Sequence, residues 1–447
     1  MALTGLDIYK LLPKTNCGEC GVPTCLAFAM KLAQKQTSLD QCPHVTEQAK
    51  EALAGAAAPP IKLVTIGVGE KKIELGNETV LFRHDETFYH PTALAITLDA
   101  SLPAEEQARR IERINGLSFE RVGQTIRANL IAVRSAGDAA AFAAAAKVAG
   151  EKSELPLVLV TENPDEMKAA LEGVAGRKPL LCGATAENVD AMAALAKEKA
   201  CPLVIRADGL DALAQLSEKA TAAGAADVIL DSGARQVAQV LAHQTAIRHA
   251  ALKKFRAFGF PTIVFPSGGD PMTEAVEAAG YIAKYAGVVV LSGAEPWELL
   301  PLLTTRQNIF TDPQKPIQLE AGVYQVGTPD EESPVMVTTN FSLTYFTVEG
   351  DVDASKVPAW IVVVDTEGTS VLTAWAAEKF TADSIAQAMK KFEIESKVKH
   401  RKVIIPGHVA VLSGKLEEAS GWNVLVGPRE SSGIPTYLRT SWQRQAA

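Results

Sequence analysis

Cysteine is scarce in this chain, with six residues in 447. So thin a supply excludes a disulfide framework as the basis of the fold. An excess of basic charge is also missing. The formal net charge is −8, the wrong sign for a nucleic-acid footprint. No run of 18 apolar residues occurs, so no membrane span is expected. The opening Met-Ala-Leu-Thr-Gly-Leu-Asp has neither a basic leader segment nor an apolar one, which points to the cytoplasm, where thiols stay reduced. Hydrophobic residues are not lacking. At 47% they are ample for large cores, and the length predicts about three domains at ~150 residues each.

The few cysteines are not scattered. Cys17, Cys20, Cys25 and Cys42 crowd one short segment with spacing C-x2-C-x4-C-x16-C. Thiolates two to four residues apart converge on one metal centre, and a more distant fourth returns to close it. Four thiolates are the usual ligand set of an iron–sulfur cluster. Gly18 and Gly21 let the backbone wrap close to a bulky inorganic core. Pro23 stiffens the approach, and Thr24 is placed to cap a helix starting at Cys25. Zinc is the competing reading, but zinc ribbons pair two short Cys hooks and only one is present here. A 4Fe–4S cube is therefore favoured. Cys182 and Cys201 stand alone beside apolar runs and read as buried structural thiols.

Residues 1–57 read as this metal-dependent unit, with helices from Leu6 to Leu12 and from Cys25 to about Lys35, the latter carrying Leu26, Met30 and Ala33 on one face. A small core of this kind would depend on its metal. Residues 58–90 read as a linker followed by a small antiparallel β element. The Ala/Pro-rich stretch 54–60 is the linker. The alternating segments are Ile61–Gly67, Lys72–Leu75 and Val80–Phe82, with a turn at Gly76-Asn77.

From 91 to 311 short apolar runs alternate with amphipathic helical segments. The runs are Ala93–Leu98, Leu130–Val133, Pro156–Val160, Pro179–Cys182, Pro202–Ile205, Ala226–Leu230, Pro261–Val264 and Gly287–Leu291. Eight strands in roughly 220 residues fit a TIM (β/α)8 barrel. A doubly wound sheet is the alternative. No dinucleotide-type glycine fingerprint follows the first strand, which favours the barrel. Polar groups stand at the strand ends: Asp99, Arg134, Glu162, Asp208, Asp231, Ser267 and Asp270. Such ends carry either chemistry or ordinary caps. Ser267-Gly-Gly-Asp-Pro271 reads as a βα turn, with phosphate binding as the weaker alternative.

The remainder, 312–447, is a further α/β unit. Strands are expected at Val335–Thr339, Trp360–Val364, Lys402–Ile405 and Asn423–Val426, with helices from Val371 to Phe380 and from Val409 to Ala419. The hydroxyl-rich loop Asp365-Thr-Glu-Gly-Thr-Ser370 follows a central strand, where open parallel sheets hold ligands.

Leu11-Leu-Pro-Lys-Thr-Asn-Cys-Gly-Glu-Cys-Gly-Val-Pro-Thr-Cys-Leu-Ala-Phe-Ala, with Cys42-Pro later, resembles the large (gamma) subunits of the corrinoid iron–sulfur proteins of the acetyl-CoA (Wood–Ljungdahl) pathway. The segments Thr338-Thr-Asn-Phe-Ser-Leu-Thr-Tyr-Phe and Asp365-Thr-Glu-Gly-Thr-Ser-Val-Leu-Thr and the three-part layout extend the likeness to the whole chain. The resemblance implies an α/β protein with an N-terminal iron–sulfur domain, a central TIM barrel and a C-terminal Rossmann-like corrinoid-binding domain. It implies a 4Fe–4S cluster on Cys17, Cys20, Cys25 and Cys42. The implied cobamide contacts are Thr339, Asn340, Thr344, Phe346, Thr369, Ser370, Val371, Leu372, Thr373, Gly433, Ile434 and Pro435. No catalytic side chain is implied.

The function so implied is a methyl carrier. Cobalt as Co(I) takes a methyl group from methyltetrahydrofolate bound to a separate methyltransferase and passes it to acetyl-CoA synthase. The cluster returns stray Co(II) to Co(I). Implied partners are a small barrel subunit forming a heterodimer, the methyltransferase, acetyl-CoA synthase, and a reductive activator or ferredoxin, with no nucleic acid and no membrane. The D-x-H-x-x-G motif that supplies a cobalt-ligating histidine is missing, so the corrinoid is expected base-off without a protein His ligand. His400 and His408 read as surface or turn histidines. Two alternatives stay open: an autonomous pterin-dependent methyltransferase with an electron-relay cluster, and a pure iron–sulfur electron-transfer protein.

Overall fold

A computed structural model describes residues 5–33, 37, 39–46, 49, 59–314 and 316–442. The proposed linker at 54–60 lies mostly outside them, as do the last residues of the expected Cys25–Lys35 helix. The helices found there are Gly5–Leu11 and Cys25–Ala33. Their shared core is small: Ile8, Leu12, Val22, Phe28, Ala29 and Val45, with Cys25 and Cys42. The second helix does not bury Leu26 and Met30, which are 38% and 46% exposed. It buries Cys25, Phe28 and Ala29 instead, an i, i+3, i+4 set that shares one core with Ile8, Leu12, Val22 and Val45.

Strands β1 (Val64–Ile66) and β2 (Ile73–Leu75) pair antiparallel. Val80–Phe82 adds no third strand. Val64, Ile66 and Leu75 pack into the same cluster as the barrel interior and plug it. The barrel begins with β3 (Ala93–Asp99). A hairpin the sequence did not disclose, β4 (Ser118–Arg121) and β5 (Gln124–Arg127), precedes β6 (Leu130–Arg134). Then follow β7 (Leu157–Val160), β8 (Leu180–Ala184), β9 (Leu203–Arg206), β10 (Val228–Asp231), β11 (Ile263–Val264) and β12 (Val288–Leu291). Their order is β10-β9-β8-β7-β6-β3-β12-β11, and every neighbouring pair is parallel. The remaining gap is narrow. Leu230 bridges to Thr262 just ahead of β11, and its N–H donates to the Pro261 carbonyl at 2.9 Å. The ring is thus nearly closed, as eight βα repeats require.

Chain contacts divide the protein into two compact units. The second gathers Phe82–Phe88, Arg113–Ala128 and Ala294–Ala447, and the rest forms the first. The β4–β5 hairpin and the helix Pro296–Phe310 therefore belong to the second unit. There Gln307 donates to Gln124 at 2.8 Å, and Arg83 caps the helix end through the Asn308 and Thr311 carbonyls at 2.9 and 3.1 Å.

The second unit is built on a five-stranded sheet of β13 (Gly322–Val326), β14 (Val335–Thr339), β15 (Ala359–Val364), β16 (Lys402–Ile405) and β17 (Asn423–Val426). The order is β13-β15-β14-β16-β17, with only β13 antiparallel. Both faces are covered, which is why the central strands read as unbroken apolar runs. Val335, Val337, Val362 and Val403 meet Phe380, Ile385 and Leu416 on one face. Met336, Ile361 and Ile404 meet Tyr345, Val352, Ile434 and Leu438 on the other. The expected helix Val371–Phe380 stops at Ala376, and a second, Ala382–Lys391, starts from a capping box at Thr381. No helix among the described residues is long and apolar enough to cross a membrane.

Candidate functional site

The cysteine loop is shaped by its backbone. Asn16, Gly18 and Gly21 take φ of 50°, 79° and 80°, a region glycine enters without strain. A Cβ on either glycine would meet nothing within 4 Å. The glycines therefore serve the turn itself, closed by Gly21 N–H to the Gly18 carbonyl at 3.0 Å, and they leave open space beside it. Thr24 caps as expected, its hydroxyl accepting from Ala27 N–H at 3.1 Å.

Asn16 ties the loop to that helix start. Its side-chain oxygen accepts from Cys25 N–H at 2.8 Å, and its own N–H points at Cys25 Sγ at 3.4 Å. Amide-to-sulfur bonds of this kind are one of the levers on cluster potential. Cys25 and Cys42 are buried in the small core, Cys20 is partly buried, and Cys17 is exposed on the rim. Beside Cys17, a Glu19 carboxylate oxygen accepts from His44 Nε2 at 2.9 Å. Three thiols on one open loop and a fourth arriving on the same core suit an iron–sulfur cube. The open space beside the glycines is the fit such a bulky group needs.

The second site is a groove at the carboxyl edge of the second unit's sheet. β14, β15 and β16 all run parallel, and the strand order reverses between β14 and β16: the connection after β14 runs to β15 on one side, and the next crosses back to β16 on the other. Ligands of open α/β sheets lie in the crevice at this point. The groove encloses about 320 Å³ between Met336–Thr338, Ile404–Pro406, the lip Gly427–Ser431 and the helix residues Leu343, Thr344, Thr347 and Val348. Among the residues expected to touch cobamide, Thr344, Ser370, Val371, Leu372 and Ile434 line it.

The others sit elsewhere. Asn340 is fully engaged. Its side-chain oxygen accepts from Thr366 N–H, Thr366 hydroxyl and Gly368 N–H, each at 3.0 Å, and its amide donates to Gln318 and Asp365. It shapes the 365–370 loop. Thr369 donates to the Thr366 carbonyl at 2.7 Å, and Thr373 pairs with Ser370 at 3.0 Å. Phe346 packs edge-on to Tyr345 in the core. Thr339, Gly433 and Pro435 do not line the groove.

One residue outside the expected set stands out. Thr338 is 1% exposed, lines the groove, and its hydroxyl has no hydrogen-bond partner. The neighbouring Thr339 hydroxyl is likewise unpaired. A buried hydroxyl left without a partner costs about 1–3 kcal/mol, and at Thr338 a polar group entering the groove would relieve that cost. That is the fit expected for an amide-rimmed macrocycle with an apolar body, given the surrounding Val371, Leu372 and Ile404.

The sequence did carry a signal for the lip. Pro406-Gly407 and Gly427-Pro428 follow adjacent strands, and a Cβ on Gly407 would lie 2.5 Å from the Gly427 carbonyl oxygen. His408 reaches the groove, with Nε2 3.7 Å from Glu430. His400 is not a surface histidine. It is 2% exposed, accepts from Lys402 N–H on Nδ1, and so donates from Nε2 to the Ser333 carbonyl at 2.9 Å. Both ring nitrogens are used, which leaves none for a metal.

In the first unit, several strand-end groups are structural. Asp270 caps the helix Pro271–Ala283, accepting from Met272 and Thr273 N–H at 3.0 Å, and Ser267 is held by Glu277. The Ser267–Pro271 segment is thus an ordinary βα turn. Burial pushes the Cys201 thiol up to about 11 and the Cys182 thiol further, so both are inert at neutral pH.

Known proteins resemble the chain along its whole length. A family model for the CO dehydrogenase/acetyl-CoA synthase delta subunit matches residues 63–438, and an Fe-S cluster family model matches 12–44. The corrinoid/iron-sulfur protein large subunit of Moorella thermoacetica is 52% identical over 443 residues, covering 99% of both chains. The acetyl-CoA decarbonylase/synthase complex subunit gamma of Methanothermobacter thermautotrophicus is 40% identical, covering 98% of this chain and 99% of its own. A dihydropteroate synthase structure from Thermus thermophilus overlaps 56% of this chain and all of its own at 14% identity and a TM-score of 0.39, too low to add to the strand order.

Proposed function

Because the chain belongs to the corrinoid/iron–sulfur large-subunit family, we propose that it is the methyl-carrier subunit of an acetyl-CoA pathway. It would accept a methyl group originating on methyltetrahydrofolate, by way of a methyltransferase, and deliver it to acetyl-CoA synthase. When bound, a base-off cobamide supplies a cobalt centre that takes up and releases the methyl group, and a 4Fe–4S cluster supplies the electron that restores it.

The chain's own residues support that reading. Cys17, Cys20, Cys25 and Cys42 would hold the cluster, with Asn16 N–H bonded to one sulfur. The Thr338 hydroxyl, Thr344 and Ser370 offer donors and acceptors to the corrin's amides. Val371, Leu372 and Ile404 cover its hydrocarbon edge. The groove encloses about 320 Å³, less than a whole cobamide occupies, so one face of the cofactor would stay open to a partner. The small barrel subunit fits that role. Of the histidines near the groove, His400 has both ring nitrogens bonded, and His408 stands at the lip 3.7 Å from Glu430.

The carrying observation is the unpaired buried Thr338 hydroxyl in a groove at the sheet's reversal point. The test is metal content and absorption of the chain purified without oxygen together with its small partner. About four irons and one cobalt per pair are expected, with little zinc. Cobalt-free, zinc-rich protein refutes the reading. Retention of methyltetrahydrofolate by the isolated chain in equilibrium dialysis would instead favour an autonomous pterin-dependent enzyme.

A further inference from the structure

The barrel interior of the first unit is filled by Ala93, Ala95, Leu130, Ala132, Val158, Cys182 and their neighbours. Side chains alternate inward and outward along each strand. One further step of the same alternation brings Thr97 and Asp99 of β3, Arg134 of β6, Arg206 of β9 and Asp231 of β10 to the opening at the carboxyl end. Arg235 joins them. It donates to both Asp231 oxygens at 3.0 and 2.8 Å and lies 5.0 Å above the ring of Phe265, another inward residue.

Three of the acceptors at this opening are engaged, and a fourth carboxylate, Asp208, stands near Arg235. Asp231 receives Arg235 twice and Gly233 N–H at 3.0 Å. Asp99 receives the N–H and hydroxyl of Ser101 at 2.8 and 2.6 Å. Glu162 receives Arg206 at 2.7 Å. Donors are left over. Arg134 makes no hydrogen bond among the described residues, and Arg206 uses one nitrogen of its fork on a side chain that is 42% exposed. Thr97 is 8% exposed, yet its hydroxyl has no partner. A guanidinium carries five N–H donors in a fork matched to carboxylate and phosphate. At the floor, Cys182 feels one carboxylate, Asp231, and three guanidiniums, Arg235, Arg134 and Arg206.

We propose that the barrel mouth is a binding site for a small ligand bearing a carboxylate or phosphate oxyanion, gripped by Arg134, Arg206 and Thr97. The barrel is then more than a scaffold. Its site is separate from the groove of the second unit, so it can fail or hold independently of the carrier function.

Calorimetric titration of the full chain with inorganic phosphate and with malonate tests it, against sodium chloride at matched ionic strength. Saturable binding below about 1 mM is expected for at least one dianion. Arg134→Gln should weaken it at least tenfold and Thr97→Val several-fold, with melting temperatures held within a few degrees. Lys219→Gln, which opens an exposed pair with Asp190 at 3.0 Å, should leave binding unchanged. Saturation by phosphate alone assigns the site to phosphoesters, and by malonate alone to carboxylic acids. Saturable heat from neither, or equal weakening by Arg134→Gln and Lys219→Gln, overturns the proposal.

Discussion

Thr338→Val is the most revealing single substitution in the second unit. Valine keeps the branched shape and suits a central strand, and it removes only the hydroxyl. In the ligand-free chain that hydroxyl is buried and unpaired, a penalty of about 1–3 kcal/mol. The variant should therefore be more stable without cofactor, by about 1–2 kcal/mol. For a unit of this size each kcal/mol moves the midpoint by about 2–4 °C, so a rise of roughly 2–8 °C is expected. With cobamide the sign reverses. The wild-type hydroxyl escapes its penalty on binding and gains a bond, and the variant cannot. Affinity should fall by about 1.5–3 kcal/mol, or roughly 10–100-fold. Thermal melts of the apo-chain and a spectral titration with cobamide, the small subunit present, read the two effects. An apo-variant less stable than wild type would mean the hydroxyl already has a partner. Unchanged affinity would mean that the groove does not hold the corrin through this wall.

Three other outcomes follow from named contacts. Gly407→Ala drives a Cβ to 2.5 Å from the Gly427 oxygen and 2.8 Å from Arg429 N; the two loops must part, at about 1–3 kcal/mol, and cobamide retention should drop with little change in iron content. Cys20→Ala should lose or degrade the cluster, seen as lost iron and visible absorption, and slow reductive reactivation, whereas methyl transfer by already reduced cofactor survives; equal loss of both activities argues against electron donation by the cluster. Cys201, raised to about 11 by burial, stays protonated as pH rises through neutrality, with only about 0.1% thiolate at pH 8, so mass spectrometry after brief alkylation of native protein should find it and Cys182 unmodified. Rapid labelling of either would contradict their burial.

Local chemistry in the chain was enough to place some features. Four cysteines at fixed spacing, with glycines between them and a hydroxyl before the helix, specify a metal loop because each requirement is met within a few residues. Eight apolar runs alternating with helices specify parallel βα repeats, since strands buried on both faces read as unbroken apolar runs; their near-closure into a barrel rests on the pairing of β3 with β12 and the approach of β10 to β11. The groove is different. Thr338 and Thr339 look alike in sequence, and only the pleat sends Thr338 into the groove. Asn340 reads as a ligand residue, yet the fold spends its side chain on holding the 365–370 loop. His400 reads as a turn residue and is a buried bond hub, because Ser333 and Lys402 reach it from distant or folded-back backbone. The Arg134–Arg206–Thr97 opening combines strands far apart in the chain. Those positions were decided by strand order and register, which depend on long-range pairing and cannot be read from any short window of the sequence.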